Sequence, residues 1–293
     1  MASVAMFIVL IQRIGLLQIN RMLVFTGNQG RKVIAAVYSP LNSGAAASAL
    51  EEIRALPRTQ TLLYEGAPRS VQAVDAAALV SLAKQSGGVI ELAVTVGDTV
   101  LDSMPLLRVL GATGPIDERR LRNGIELGNE RTFEQDPKYA LRLLVDIAIK
   151  ALSPAVNDPT TAVQALDQIG DLVLRLGQRQ LEAGAYRDSE GALRLVVPFP
   201  TWDDLLQLAF VEILFCGATS VQVMRRMTAL VEDLVLALPE RRRPRIEYWG
   251  ERIKATAARA FADDESRIEA LKGDRQGLGV TSRAVRRAAE PSA

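Results

Sequence analysis

At 293 residues, 48% of them hydrophobic, the chain can bury a sizeable core in one elaborate domain or two modest ones. With 35 Lys plus Arg against 34 Asp plus Glu the formal charge is +1, so the global balance calls for neither nucleic acid nor an anionic surface. There is no histidine and one cysteine, Cys216, which excludes Ser-His-Asp and Cys-His catalysis, His-ligated metals, imidazole switching, an intrachain disulfide and a cysteine-cluster metal site.

Residues 2–11 are uncharged and precede Gln12-Arg13. A membrane span needs about twenty apolar residues, so this stretch is too short to cross alone. No charged n-region precedes it and no small-residue cleavage site follows, so it is not a signal-peptide core. Three readings stay open: the cut end of a transmembrane helix, an amphipathic interfacial helix, or a core or oligomer-packing helix. Arg13, Arg21, Arg31 and Lys32, with no acid before Glu51, favour a juxtamembrane position on the cytoplasmic side over a plain solvated basic face. The helical pattern continues through residues 19–38, with an interruption expected at Thr26-Gly27-Asn28-Gln29-Gly30, and Pro40 closes it. Residues 41–57 read as a connector with a short helix.

The period then changes. Ser70-Val71-Gln72-Ala73-Val74 alternates like a strand, Asp75 is placed to cap a helix over 76–84, and Gly87-Gly88 ends it. Residues 89–96 form a second strand, and Gly97-Asp98 turns into Thr99-Val100 and a further strand over 104–110. That spacing resembles the folded hairpins of biotinyl- and lipoyl-type units, but the exposed turn has no lysine, so carrier function is not expected.

Residues 130–162 are the densest in chemistry-bearing side chains. Asp136 is an N-cap with Pro137 at the first helical position, where its missing N–H costs nothing. The helix that follows, over 137–152, sets Arg142, Asp146, Lys150 and Ser153 in one narrow stripe among Leu141, Leu144, Val145 and Ile149. Ser153-Pro154 ends it. Asn157-Asp158-Pro159 starts the next helix by the same device, running to about residue 181 with Val163, Leu166, Gly170 and Val173 on one face. Downstream come two short strands around 188–191, a capping-box helix from Trp202 to Cys216, a helix over 220–238 and a charged helix over 240–262 with the cluster Arg241, Arg242, Arg243 and Arg245. After about Gly273 the Arg-, Ala- and Gly-rich composition reads as a disordered tail. Cys216 is expected as a buried packing residue, and Ser153 is no nucleophile because no histidine can activate it.

Three runs, ERTFEQDP (130–137), LRLLVDIA (141–148) and ALSPAVNDPTTA (151–162), resemble the central signature of domain-of-unknown-function family 2254, a group of predicted bacterial membrane proteins. The likeness extends more weakly to about residue 270. It implies several transmembrane helices ahead of a soluble domain, hence that residues 2–11 are the tail of the last span and that the chain is an N-terminally shortened member. Ala140 and Ala155 stand where the family favours glycine, and no activity is implied.

For the central acids two readings compete. In one, Asp136, Asp146 and Asp158 form a carboxylate site for a divalent cation or for acid/base work. In the other, Asp136 and Asp158 are caps, Arg142, Asp146 and Lys150 pair along the helix, and Glu130, Arg131 and Glu134 are solvated. Arg131 and Arg142 with the two helix N-termini could also take an anionic ligand. The candidate ligand-binding set is therefore Arg131, Asp136, Arg142, Asp146, Lys150, Asn157 and Asp158, with no catalytic residue, metal or cofactor assigned.

The expected fold is α+β, mostly helical, with a small β unit in the first half and a central helical hairpin. It divides into a juxtamembrane segment (1–40), a β-rich unit (58–112), a helical domain (113–272) and a tail (273–293). The expected role is a binding or assembly module on the cytoplasmic side of the inner or plasma membrane. It would contact the membrane through the N-terminal helix, self-associate, and bind an unidentified small molecule but not nucleic acid. The alternative is a histidine-free, carboxylate-dependent metal enzyme centred on Asp136, Asp146 and Asp158.

Overall fold

The computed structural model describes residues 2–41, 47–181 and 183–279, with the backbone alone described over 2–17 and 47–49. Most of the expected tail lies outside the described residues. In its first part, 273–279, Asp274 and Gly277 are buried and Arg275, Gln276 and Leu278 are exposed; Asp274 accepts hydrogen bonds from Gln276 N–H (2.9 Å) and Gly279 N–H (2.5 Å).

Helix α1 (Ala2–Val37) runs unbroken through Gly27 and Gly30, so the expected interruption is absent. A glycine costs a helix about 1 kcal/mol, but here both lie on the stripe of Leu23, Thr26, Val33 and Ile34, which is buried along its length and offsets that cost. α2 (Ala47–Arg54) leads to strands β1 (Arg58–Leu63) and β2 (Arg69–Val74). Asp75 caps α3 (Ala76–Ser86) by accepting the Ala78 N–H at 2.9 Å, and Gly87 closes it at φ 69°, both as expected. Then follow β3 (Val89–Leu92), β4 (Thr99–Val100), β5 (Pro105–Leu110), the Asp117-capped α4 (Glu118–Asn123) and β6 (Ile125–Gly128). The expected hairpin is α5 (Pro137–Ala151) and α6 (Pro159–Gly177). After it come β7 (Ala183–Arg187), β8 (Leu193–Pro198), α7 (Trp202–Cys216), α8 (Val221–Ala237), a 3-10 turn (Glu240–Arg242), α9 (Arg243–Ala260) and α10 (Asp264–Leu271). The fold is α+β and mainly helical.

These elements form two compact units that do not follow chain order. The sheet unit comprises residues 29–140 and 178–205. Its larger sheet has the order β1-β5-β3-β8-β7 and its smaller one β4-β2-β6. The expected split at about residue 112 is corrected by this topology. β3 pairs in parallel with β8 (Ile90 opposite Leu195), which sews the second-half strands into the first-half sheet, and β2 pairs with β6 across the same proposed boundary. The hairpin likeness is corrected too, since β4 and β5 lie in different sheets. Leu62, Val71, Leu79, Ile90, Val100, Leu106, Leu121 and Leu195 share one buried cluster, each contributing about 1.5–3 kcal/mol by leaving water.

The helical unit comprises residues 1–28, 141–177 and 206–293. Leu144, Leu166, Ile169, Val173, Phe210, Met224, Met227, Trp249 and Ile253 are buried in it. Gly170 permits close packing of α6 on α8, because a Cβ there would sit 2.5 Å from Leu230 Cδ1. Cys216 is exposed rather than buried: it ends α7 beside Phe215, which is itself 84% exposed. On α1 of this unit Ile19, Met22, Val24 and Phe25 are also exposed.

Candidate functional site

Asp136 is 1% exposed and organises one corner of the sheet unit. Its Oδ1 accepts the Tyr139 N–H at 3.2 Å and so caps α5, as its place before Pro137 predicts. Its Oδ2 accepts Arg131 Nε–H at 3.0 Å and Nη2–H at 2.6 Å, and the Arg131 guanidinium lies over the Tyr139 ring at 5.2 Å. Arg131 is therefore a buttress of the cap and not the solvated residue of the plainer reading. The turn after β3 makes room for this pair. Asp98 accepts the Thr95 N–H at 2.9 Å, and Gly97 adopts φ 90°, where a side chain is strained. A Cβ at Gly97 would also overlap Asp136 Oδ2 and come within 2.9 Å of Arg131 Nη2.

Beside Asp136 is a cavity of about 340 Å³, walled by Val74, Val96, Val197 and Phe199 and reached by Tyr38, Lys138 and Tyr186. Tyr38 is brought there by a clip at the end of α1: Arg179 Nη1–H donates to the Tyr38 carbonyl at 3.2 Å and the Gln180 N–H to Ser39 O at 2.9 Å. Its ring meets Phe199 edge-on at 4.8 Å. Burial first, then the Asp136 charge, pushes the Tyr38 hydroxyl well above the ordinary tyrosine value, and burial raises Tyr186 as well. Both phenols are thus O–H donors at neutral pH, and no described residue hydrogen-bonds to either hydroxyl. Lys138 Nζ stands 3.6 Å from Asp98 Oδ1, a long contact that leaves its other protons available. Gln135 fixes the loop by bonding both backbone groups of Val74, at 3.1 and 3.3 Å.

The remaining predicted residues belong to the helical unit. Arg142 donates to Asp146 Oδ1 through Nε at 2.8 Å and to both oxygens of Glu212 at 2.5 and 3.0 Å, a bidentate pair from α5 to α7. Glu212 first and Asp146 second push the Arg142 guanidinium up, and Arg142 holds the Glu212 carboxyl below its ordinary value. Lys150 makes no ion pair with a described residue, so the expected three-member pairing along α5 stops at Asp146 and is completed by Glu212 instead. Lys150 and Asp158 line an open cavity of about 440 Å³ with Ile19, Met22, Ile147 and Val156. Asp158 accepts Thr161 N–H at 3.1 Å and Thr161 Oγ1–H at 2.6 Å, again a cap. Asn157 is exposed at φ 47°, a left-handed position that asparagine tolerates, and forms the corner of the turn.

The three carboxylates of the metal-enzyme alternative are thus engaged separately, Asp136 by Arg131, Asp146 by Arg142 and Asp158 by Thr161. Among the described residues no group of three or more Asp, Glu or Cys side chains is arranged to hold a metal ion. Tyr38, Gly97, Lys138, Tyr186 and Phe199 were not singled out from the sequence. They come from four separated stretches, and only the Gly97-Asp98 turn left a local trace.

A family described as predicted membrane protein (DUF2254) matches residues 1–233. The chain belongs to that family. Uncharacterised proteins of Mycobacterium tuberculosis and Mycobacterium bovis are each 30% identical to this DUF2254 member over 183 residues, covering 62% of this chain and 35% of the relative. The chain thus spans about a third of the length of the curated relatives it matches. No solved structure matches. Among the described residues no helix is long and apolar enough to cross a membrane.

Proposed function

We propose that this DUF2254 member is a membrane-associated binding module that meets the cytoplasmic face of the membrane through α1. The observation that carries the reading is the exposed apolar run Ile19, Met22, Val24 and Phe25, set between Arg13, Arg21, Arg31 and Lys32. Large apolar side chains left in water on a helix flanked by cations suit a lipid interface, where chains take the apolar residues and anionic headgroups the basic ones. The open groove beside Ile19 and Met22 supports it: Val156 adds apolar surface there and Lys150 a cation with no ion-pair partner among the described residues.

Fractionation of cells expressing the chain tests this. The native chain is expected in the membrane fraction, released by detergent and not by salt. Ile19→Asp with Met22→Asp, at positions 36% and 56% exposed, is expected to move it toward the soluble fraction while the purified variant keeps the native circular-dichroism spectrum. Clean recovery of the native chain without detergent, as a monomer, would overturn the reading.

A further inference from the structure

We propose that the cavity beside Asp136 in the sheet unit is a binding site for a small organic acid, a carboxylate carried on an apolar body. It supplies the ligand of the binding module proposed above, yet it stands on geometry that the membrane reading does not use.

The cavity is lined by the donors Tyr38, Tyr186 and Lys138 and by two carboxylates, Asp136, already bonded to Arg131, and Glu134, which is exposed. Tyr38 is 3% exposed, its hydroxyl has no partner among the described residues, and its ring is fixed against Phe199. An unpartnered hydroxyl on a fixed ring beside the cavity is free to give its proton to an acceptor that enters. Tyr186 and Lys138 line the same cavity, and the first turn of α5 adds its positive end. The Asp136 charge is felt at the Tyr38 hydroxyl, but Asp136 opposes an anion less than a bare carboxylate would. It accepts two N–H groups from Arg131 and one from Tyr139, three of the roughly four positions a carboxylate has, and Arg131 balances its charge. An amine would have to displace Arg131 to pair with Asp136, which leaves it only the exposed Glu134. The valine and Phe199 walls suit an apolar body, and about 340 Å³ is the size of a small metabolite and not of a nucleotide or a lipid.

The test is calorimetric titration of the full chain in detergent with sodium hexanoate and sodium benzoate, against hexanol, hexylamine and inorganic phosphate. Saturable binding of at least one acid, tighter than hexanol and hexylamine, is expected. Tyr38→Phe keeps the ring and removes only the hydroxyl, and is expected to weaken the acid by about ten-fold or more. Lys138→Gln, at a half-buried position outside the core, is expected to weaken the acid while leaving hexanol unchanged. The proposal is overturned by no saturable heat with either acid, by hexanol or hexylamine binding as tightly, by phosphate binding in their place, or by unchanged affinity in both variants. Fractionation of Tyr38→Phe separates the two proposals: it is expected to stay with the membrane, so loss of acid binding there leaves the membrane reading intact.

Discussion

Asp136-Pro137 and Asp158-Pro159 are one device written twice, a carboxylate cap followed by a proline whose absent N–H is not missed, and the surroundings put the two copies to different use. Asp158 is satisfied within its own first turn by Thr161, and its helix could be moved to another protein with its cap intact. Asp136 takes only one bond from its helix. The rest of its coordination comes from Arg131, in space that Gly97 leaves bare, and a walled cavity opens beside it. A cap motif therefore specifies where a helix begins and says nothing of what else its carboxylate does. That is decided by chain brought from far away.

The widest separation of the two caps is expected from alanine. Asp136→Ala removes a cap and leaves the half-buried Arg131 unpaired, for a loss of about 2–4 kcal/mol in chemical denaturation. Asp158→Ala loses the cap alone, about 0.5–2 kcal/mol. Equal losses would break the comparison. Gly97→Ala reaches the first cap from a distance: a side chain at φ 90° that also overlaps Asp136 is expected to cost about 1–3 kcal/mol and to weaken any ligand of the cavity, whereas Gly191→Ala, at φ 83° in open space, carries the backbone strain alone.

Smaller still is the stripe further along α5. Arg142 pairs with Asp146 and Glu212, which are 48% and 46% exposed, so Arg142→Gln is expected to cost about 1 kcal/mol or less. Its pH signature is distinct. Because Arg142 depresses the folded Glu212 value, this pair stabilises the chain above the ordinary glutamate value of 4.5 and the contribution fades as pH falls below it. The stability gap between the native chain and Glu212→Gln is therefore expected to shrink on acidification from neutral pH to below about 4.5, and a gap that widens instead would contradict the pairing.

Much of this was legible in the sequence where the cause is local. The Asp75 and Asp136 caps, the Gly87 stop, the span from Trp202 to Cys216 and the two-helix hairpin follow from residues within a turn of one another. β1 was missed because Arg58-Thr59-Gln60-Thr61 is polar, and α4 because Glu118-Arg119-Arg120 carries almost no apolar period. The β3–β8 pairing joins residues about a hundred positions apart, which no local pattern announces, and the domain division failed with it. The cavity was hidden for the same reason. Tyr38 is delivered by the end of α1 and Tyr186 and Phe199 by the β7–β8 region, while Lys138 read only as one more charge in the first turn of α5. Cys216 differs from expectation because the apolar composition of α7 does not mark which face its last turn presents, and Phe215 and Cys216 both end it exposed.

A crystal structure of the chain grown with sodium hexanoate reads the cavity itself. Expected is a carboxylate within hydrogen-bond distance of Tyr38 Oη and Lys138 Nζ, its alkyl chain against Val96, Val197 and Phe199, with the Arg131–Asp136 pair undisturbed. A cavity left empty while hexanoate orders elsewhere, or an acid that pulls Arg131 away from Asp136, would contradict the claim that the Arg131–Asp136 pair stands beside a site for an organic anion.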